Sequence, residues 1–177
     1  MKKIGLLSDT HSFLDENIFH YFEPCDEIWH AGDIGDPTVA DKLEAFRPFR
    51  AVYGNIDGKP IRLRYPLDLR FESEGVDVFM THIGGYPGKY EARVRPLLQA
   101  NPPKLFICGH SHILKVIPDK TLGLLHINPG ACGNEGWHKV RTAVRFDLHE
   151  GRIEQLEVIE LGRRGKWSGP ISEEGKP

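Results

Sequence analysis

The chain has 177 residues, of which 27% are charged and 40% hydrophobic, and its 23 basic against 25 acidic residues leave a formal charge of −2. That length suits one globular domain able to bury a core without disulfides, and the near balance of charge supplies no basic field for nucleic acid or an anionic membrane. No apolar run approaches the roughly 20 residues of a membrane span, and Met1-Lys2-Lys3 passes straight into Ile4-Gly5-Leu6-Leu7 without a leader-like stretch, so a cytoplasmic protein is expected.

In chain order, short apolar runs that stop at polar, Gly-containing sequence predict buried strands at 4–7, 28–29, 49–53, 76–80, 105–108 and 122–127. Helix-like apolar spacing over 14–22, 38–46 and 90–100 alternates with these runs, although Pro96 interrupts the third segment. The layout is α/β. Beyond Trp137, residues 142–148, a His149-Glu150-Gly151 turn and residues 153–161 predict a closing antiparallel hairpin. One domain is expected over 1–161, followed by a loosely structured tail over 162–177, which is rich in Gly, Pro and charge. Cys25, Cys108 and Cys132 are odd in number and widely spaced, which suits reduced thiols.

The strand ends carry the chemistry. They deliver Asp9-Thr10-His11, Gly32-Asp33, Gly54-Asn55, Thr81-His82 and Gly109-His110-Ser111-His112. In an open α/β sheet such ends are where functional groups collect on a rigid scaffold. In extended backbone, residues two apart share a side, so Asp9 with His11, and His110 with His112, can converge on one pocket. Three oxygen or amide ligands (Asp9, Asp33, Asn55) and four imidazoles (His11, His82, His110, His112) exceed the needs of one tetrahedral ion. They suit two higher-coordinate ions sharing a carboxylate. Without a thiolate, Mn is taken first among the divalent metals, with Ni, Fe, Co or Zn as alternatives. Two such ions activate water for phosphoester hydrolysis.

These motifs, in this order, resemble the signature of the calcineurin-like metallophosphoesterases, and the length is similar to the small single-domain bacterial and archaeal phosphodiesterases, the YfcE-like branch. The resemblance covers roughly residues 4 to 130. It implies a four-layer sandwich of two mixed β-sheets flanked by helices. It also implies that Asp9, His11 and His112 bind the first ion and Asn55, His82 and His110 the second, with Asp33 bridging. Asp33, Asn55 and His82 would then serve catalysis, a metal-bridging hydroxide attacking a small phosphate-ester substrate. The sequence departs from many relatives at Gly54-Asn55-Ile56-Asp57, where a His often follows the Asn; Ile56 cannot move a proton, and general-acid help is typically worth roughly 10²- to 10⁴-fold.

Other residues carry two readings each. His30 could orient Asp33 or be an ordinary buried His, and Asp57 could support Asn55 or make a turn. Asn128 reads as part of a turn after the sixth run, with His126 possible as a pocket wall, and His138 as an ordinary loop His. Residues 84–90 could form a lid carrying Tyr86, Lys89 or Tyr90, or a plain surface loop. The competing functions are a phosphomonoesterase, a nuclease, and a scaffold resembling the retromer subunit of the same shape. A scaffold has no need to keep all seven ligands. Apolar Ile153, Leu156, Val158 and Leu161 on the terminal hairpin suggest a homodimer cover.

Overall fold

The computed structural model describes residues 1–165. From the N-terminus the elements are β1 (Lys2–Leu7), α1 (Asn17–Tyr21), β2 (Glu27–His30), α2 (Pro37–Phe46), β3 (Phe49–Ala51) and α3 (Lys59–Arg64). Next come β4 (Asp68–Ser73), β5 (Val76–Thr81), β6 (Gly85–Tyr86), β7 (Lys89–Tyr90) and α4 (Arg95–Ala100). The chain closes with β8 (Leu105–Ile107), β9 (Lys115–Asp119), β10 (Leu124–Asn128), β11 (Val140–His149) and β12 (Arg152–Arg163).

Ten of the strands make two five-stranded mixed sheets, ordered β12-β11-β1-β2-β3 and β4-β5-β8-β10-β9. The parallel pairs, β1 with β2 and β2 with β3, run out to the β3 edge of the first sheet, and those of the second, β5 with β8 and β8 with β10, occupy its interior. Alternation along the strands decides which layer each side chain joins. Ile4, Leu6, Trp29 and Phe146 of the first sheet meet Val78, Met80, Leu105 and Ile107 of the second between the sheets. Leu7, Ile28 and Ala143 point the other way, against Ile18, Phe22, Leu43 and Ile61 on the helical side. On the far side of the second sheet, Phe79, Phe106 and Leu124 pack with Tyr90, Val94 and Leu98. The result is the expected four-layer α/β sandwich. Each fully buried aliphatic side chain in it contributes about 1.5–3 kcal/mol relative to exposure.

All six predicted runs become strands, with ends shifted by a few residues. β4 and β9 were not expected, and both are half-exposed edge strands with a mixed polar pattern. Pro118 within β9 is tolerated because an edge strand needs no second ladder. Pro96 lies in the first turn of α4, where its missing N–H is no loss, so it starts that helix instead of interrupting one. Residues 14–22 form only the short α1, since Asp15 turns the chain first by accepting from the Asn17 N–H at 3.0 Å.

The closing hairpin explains its own irregular alternation. Its register shifts between Arg145 and Asp147, opposite Gln155 at φ 51°. This bulge turns Ile153 and Leu156 toward the inter-sheet core. Leu161 is buried against the helical side, so Val158 alone of the four apolar residues stays exposed. β12 runs to Arg163, two residues beyond the expected end. Residues 166–177 of the expected tail lie outside the described residues. Among the described residues no helix is long and apolar enough to cross a membrane.

Candidate metal centre

The loops that follow β1, β2, β3, β5 and β8 carry Asp9 and His11, Asp33, Asn55, His82, and His110 and His112 respectively. They do not converge by strand alternation. Asp9, His11, Asp33, His110 and His112 all take the left-handed backbone region, with φ of 54°, 46°, 55°, 68° and 58°. A non-glycine residue there costs on the order of 1–3 kcal/mol and persists only when its surroundings hold it. Here they do: the Asp9 N–H donates to Gly32 O at 3.0 Å, the His11 N–H to Asp33 O at 3.0 Å and the Gly109 N–H to His82 O at 2.9 Å.

The side chains gather into two sets. One ligand atom each from Asp9, His11 and His112 lies within 4.8 Å of the others, and the same holds for Asp33, His82 and His110. The sets touch through Asp33 Oδ2, which lies 3.4 Å from His11 Nε2 of the first set and 3.1 Å from His82 Nε2 of its own. Asp9 Oδ1 is 3.2 Å from His112 Nε2 and 3.8 Å from His82 Nε2. Two ligands bound to one ion at about 2.0–2.2 Å stand roughly 3–3.5 Å apart, so the spacing fits shared cations. Asp9 Oδ1, His11 Nε2 and His82 Nε2 are buried with no hydrogen-bond partner in the protein. Three orphaned acceptors at one point would be costly unless a cation completes them. Asn55 is exposed at the rim and lines the same cavity as His82.

Three of the inward atoms, on Asp9, Asp33 and His82, are aimed by a bond on the outward one. Asp9 Oδ2 accepts from Ser8 Oγ at 2.7 Å and from the His110 N–H at 3.1 Å, which turns Oδ1 inward. Asp33 Oδ1 accepts from the Ile56 N–H at 3.0 Å, freeing Oδ2 to bridge. His82 Nδ1 donates to Ala31 O at 2.8 Å, so Nε2 carries a lone pair toward the centre. Asp57 is buried and accepts from the Gly35 and Gly54 N–H groups, each at 2.7 Å, clamping the Asp33 and Asn55 loops together. It does not support Asn55 directly. His30 is fully buried and accepts the Gly32 N–H on Nδ1 at 3.1 Å, with Thr10 Oγ1 3.0 Å from Nε2; it steadies both loops as a neutral ring. Burial pushes it down to about 3. Gly54 admits no side chain, since a Cβ there would overlap Asp33 Oδ1.

Three supports were not anticipated as such. Ser8 orients Asp9, and its only sequence signal was adjacency. Asn128 makes the expected turn with the Gly130 N–H, but its Nδ2 also donates to Gly109 O at 2.8 Å and so holds the His110 loop. His138 packs its ring edge-on against His112 at 5.2 Å and is 2.9 Å from Gly133 O through Nε2. Beside it Gly136, at φ 111°, leaves no room for a Cβ next to His112 Nδ1. His126 is instead buried against Phe106, away from the two ligand sets.

The charges are strongly coupled. The Asp9 carboxylate raises His11 above its ordinary 6.5 against the opposing effect of burial. Burial alone would lower His82, but Asp33 and Asp9 outweigh it and raise it. Burial likewise opposes ionisation of Asp9 and Asp33; the nearby imidazoles, His11, His112 and His82 for the one and His82 for the other, outweigh it and hold both below the usual carboxylate range. Raised imidazoles stabilise the fold fully below about pH 6.5 and cease to do so as pH rises through their folded values; the depressed carboxylates contribute above about pH 3.8 and lose this only on further acidification. Metal binding must displace the imidazole protons. Calorimetry of Mn²⁺ binding near pH 6.5 is therefore expected to show proton release, read as an enthalpy that varies with buffer ionisation heat, and weaker release at pH 9. An enthalpy independent of buffer at pH 6.5 would contradict this.

A family model for the calcineurin-like phosphoesterase superfamily domain matches residues 1–151. A probable metallophosphoesterase of Methanothermobacter thermautotrophicus is 31% identical over 135 residues, 72% of this chain and 76% of the relative. The solved structure of a novel archaeal phosphodiesterase has a TM-score of 0.70 at 22% identity, covering 90% of this chain and 99% of that one. Vps29 of Entamoeba histolytica complexed with Zn²⁺ has a TM-score of 0.68 at 13% identity, covering 90% and 99%. At these identities the two structural likenesses speak for the fold alone.

Proposed function

Because the chain belongs to the calcineurin-like phosphoesterase superfamily, we propose that it is a dinuclear-metal phosphodiesterase acting on a small phosphate ester. The observation that carries this is Asp33 Oδ2, placed within 3.4 Å of a histidine from each ligand set beside three orphaned acceptors. Asp9, His11 and His112 would hold one divalent ion and Asn55, His82 and His110 the other, with Asp33 shared between them; Mn²⁺ suits the nitrogen and oxygen donors, as do Ni, Fe, Co and Zn. Such a pair supplies an acidified water, a grip on the phosphoryl oxygens and neutralisation of the charge that builds during in-line displacement.

The chain's own part is to fix the ligands and receive the ester. Two cavities meet at Ile83 and Glu91, one reaching His82 and Asn55 and the other His110. A diester has two arms, and this arrangement offers a space for each. Ile56, 46% exposed at the rim, brings no proton to the departing oxygen. Substrates with acidic leaving alcohols are accordingly favoured. Cys25, Cys108 and Cys132 are free and buried, which supports a reducing, cytoplasmic setting.

Hydrolysis of bis(p-nitrophenyl) phosphate beside p-nitrophenyl phosphate tests the reading. Metal-dependent cleavage is expected, abolished by chelator, restored by Mn²⁺, and faster on the diester. A faster monoester would reassign the enzyme to phosphomonoesters. Inactivity on both with every metal would favour a scaffold.

A further inference from the structure

The two cavities beside the centre differ in charge. The first, about 390 Å³, has Arg62 and Arg93 in its wall, but both are committed. Arg93 is paired with Asp68 at 2.6 and 2.9 Å, and Arg62 donates to the carbonyls of Asp57 at 2.6 Å and Gly54 at 3.2 Å. The second, about 380 Å³, is lined by Lys89, Arg95 and Lys115 with Tyr86 and His110, against one carboxylate, Glu91. Arg95 donates to Tyr90 O at 3.1 Å, and the Lys115 ammonium sits 3.4 Å from the Tyr86 ring centroid. None of these three cations has a carboxylate partner within ion-pair distance among the described residues. Three cations against Glu91 leave an excess of two positive charges facing one open cleft.

We propose that this second cavity is an anion subsite that binds a phosphate monoester on the substrate arm remote from the scissile phosphorus. The inference rests on the phosphodiesterase reading and narrows its substrate class to diesters bearing a further phosphate. A dianionic phosphate matches the excess charge, and lysine ammonium groups bind phosphate as point charges without demanding one orientation. The cavity touches the metal centre only through His110, so its cations address the arm and not the reacting phosphoryl group. The β6–β7 hairpin carries Tyr86 and Lys89, so the segment read as either a lid or a plain surface loop forms one wall of the subsite.

The test compares ethyl p-nitrophenyl phosphate with its phosphoethyl counterpart, in which the ethyl arm ends in a phosphate monoester; nitrophenol leaves from both. The wild type with Mn²⁺ is expected to prefer the phosphorylated arm at least about tenfold in kcat/KM, the gain of one charge-assisted hydrogen bond. In Lys89→Gln/Lys115→Gln the preference should fall to within about twofold of unity, while Lys104→Gln/Lys120→Gln, the same loss of two charges beside a different cavity, keeps it. A wild-type ratio near one, or a ratio unchanged in the double variant, overturns the subsite. If the wild type cleaves neither ester, it is the phosphodiesterase reading that fails. Titration of inorganic phosphate into the metal-free protein then decides the subsite: binding weakened at least about tenfold in the double variant supports it, and equal or absent binding overturns it.

Discussion

Asp33→Asn is expected to lower metal-dependent diester hydrolysis by at least about 10³-fold while leaving the metal-free protein as stable as wild type at pH 8 to within about 1 kcal/mol. The change keeps size and removes one thing. Asp33 Oδ1 is committed to the Ile56 N–H at 3.0 Å, so in the variant the amide oxygen takes that place and the NH₂ replaces Oδ2. There it faces His82 Nε2 and His11 Nε2, at the present separations of 3.1 and 3.4 Å, and can donate to their lone pairs. The metal-free cluster is thereby satisfied. A cation is not, because an amide nitrogen offers no electron pair and the bridge between the sets is gone. Metal analysis should find about two ions per chain in the wild type and at most about one in the variant. Full occupancy with activity within tenfold of wild type would show that Asp33 does not bridge.

How far the sequence announced this centre depends on what placed each group. The parallel strands were legible because buried runs such as 105–108 end abruptly in polar residues, and the ligands stood at those ends. The metal-ligating residue types at five successive strand ends survived every error in strand length. What was not legible is how they converge. Alternation in an extended chain would have paired Asp9 with His11 and His110 with His112; left-handed turns at these four residues instead bring Asp9 and His11 into one ligand set and send His110 and His112 to different ones. Such turns are unfavourable locally and are stabilised by contacts with loops distant in sequence, as when the Gly133 N–H bonds Asp9 O at 3.0 Å. His138 could not be assigned to His112 for the same reason, since its loop is positioned by β11 and not by its own composition. Edge strands β4 and β9 escaped because half-exposed strands lack the continuous apolar signal of central ones. Asp57 illustrates a third limit: an Asp-Gly pair reads as a turn, and only the fold reveals that its carboxylate ties Gly35 to Gly54.

The second large effect concerns a buried pair behind the first ligand loop. Arg141 and Asp15 have fully buried side chains and meet at 2.7 Å, and Arg141 also donates to Leu161 O at 2.7 Å. Asp15 lies four residues after His11, and its other oxygen accepts the Asn17 N–H. The pair thus ties the loop of Asp9 and His11 to the hairpin of β11 and β12. Arg141→Met keeps much of the volume but strands a carboxylate in the interior, which costs about 3–5 kcal/mol. That is a large part of the 5–15 kcal/mol typical of a domain. Urea unfolding of the metal-free protein is expected to show it as a lowered midpoint with unchanged slope. Arg141→Met/Asp15→Leu removes both charges and should recover most of the loss, because apolar replacement of a whole buried pair is often neutral or better. The double variant still lacks the anchor on Leu161 O, so its Mn²⁺ affinity should remain about 10- to 100-fold below wild type, the range seen when outer supports of a metal site are removed. Recovered stability with wild-type affinity would mean that the pair serves the fold and not the position of His11; a single variant as stable as wild type would mean that Asp15 finds another partner or is reached by water.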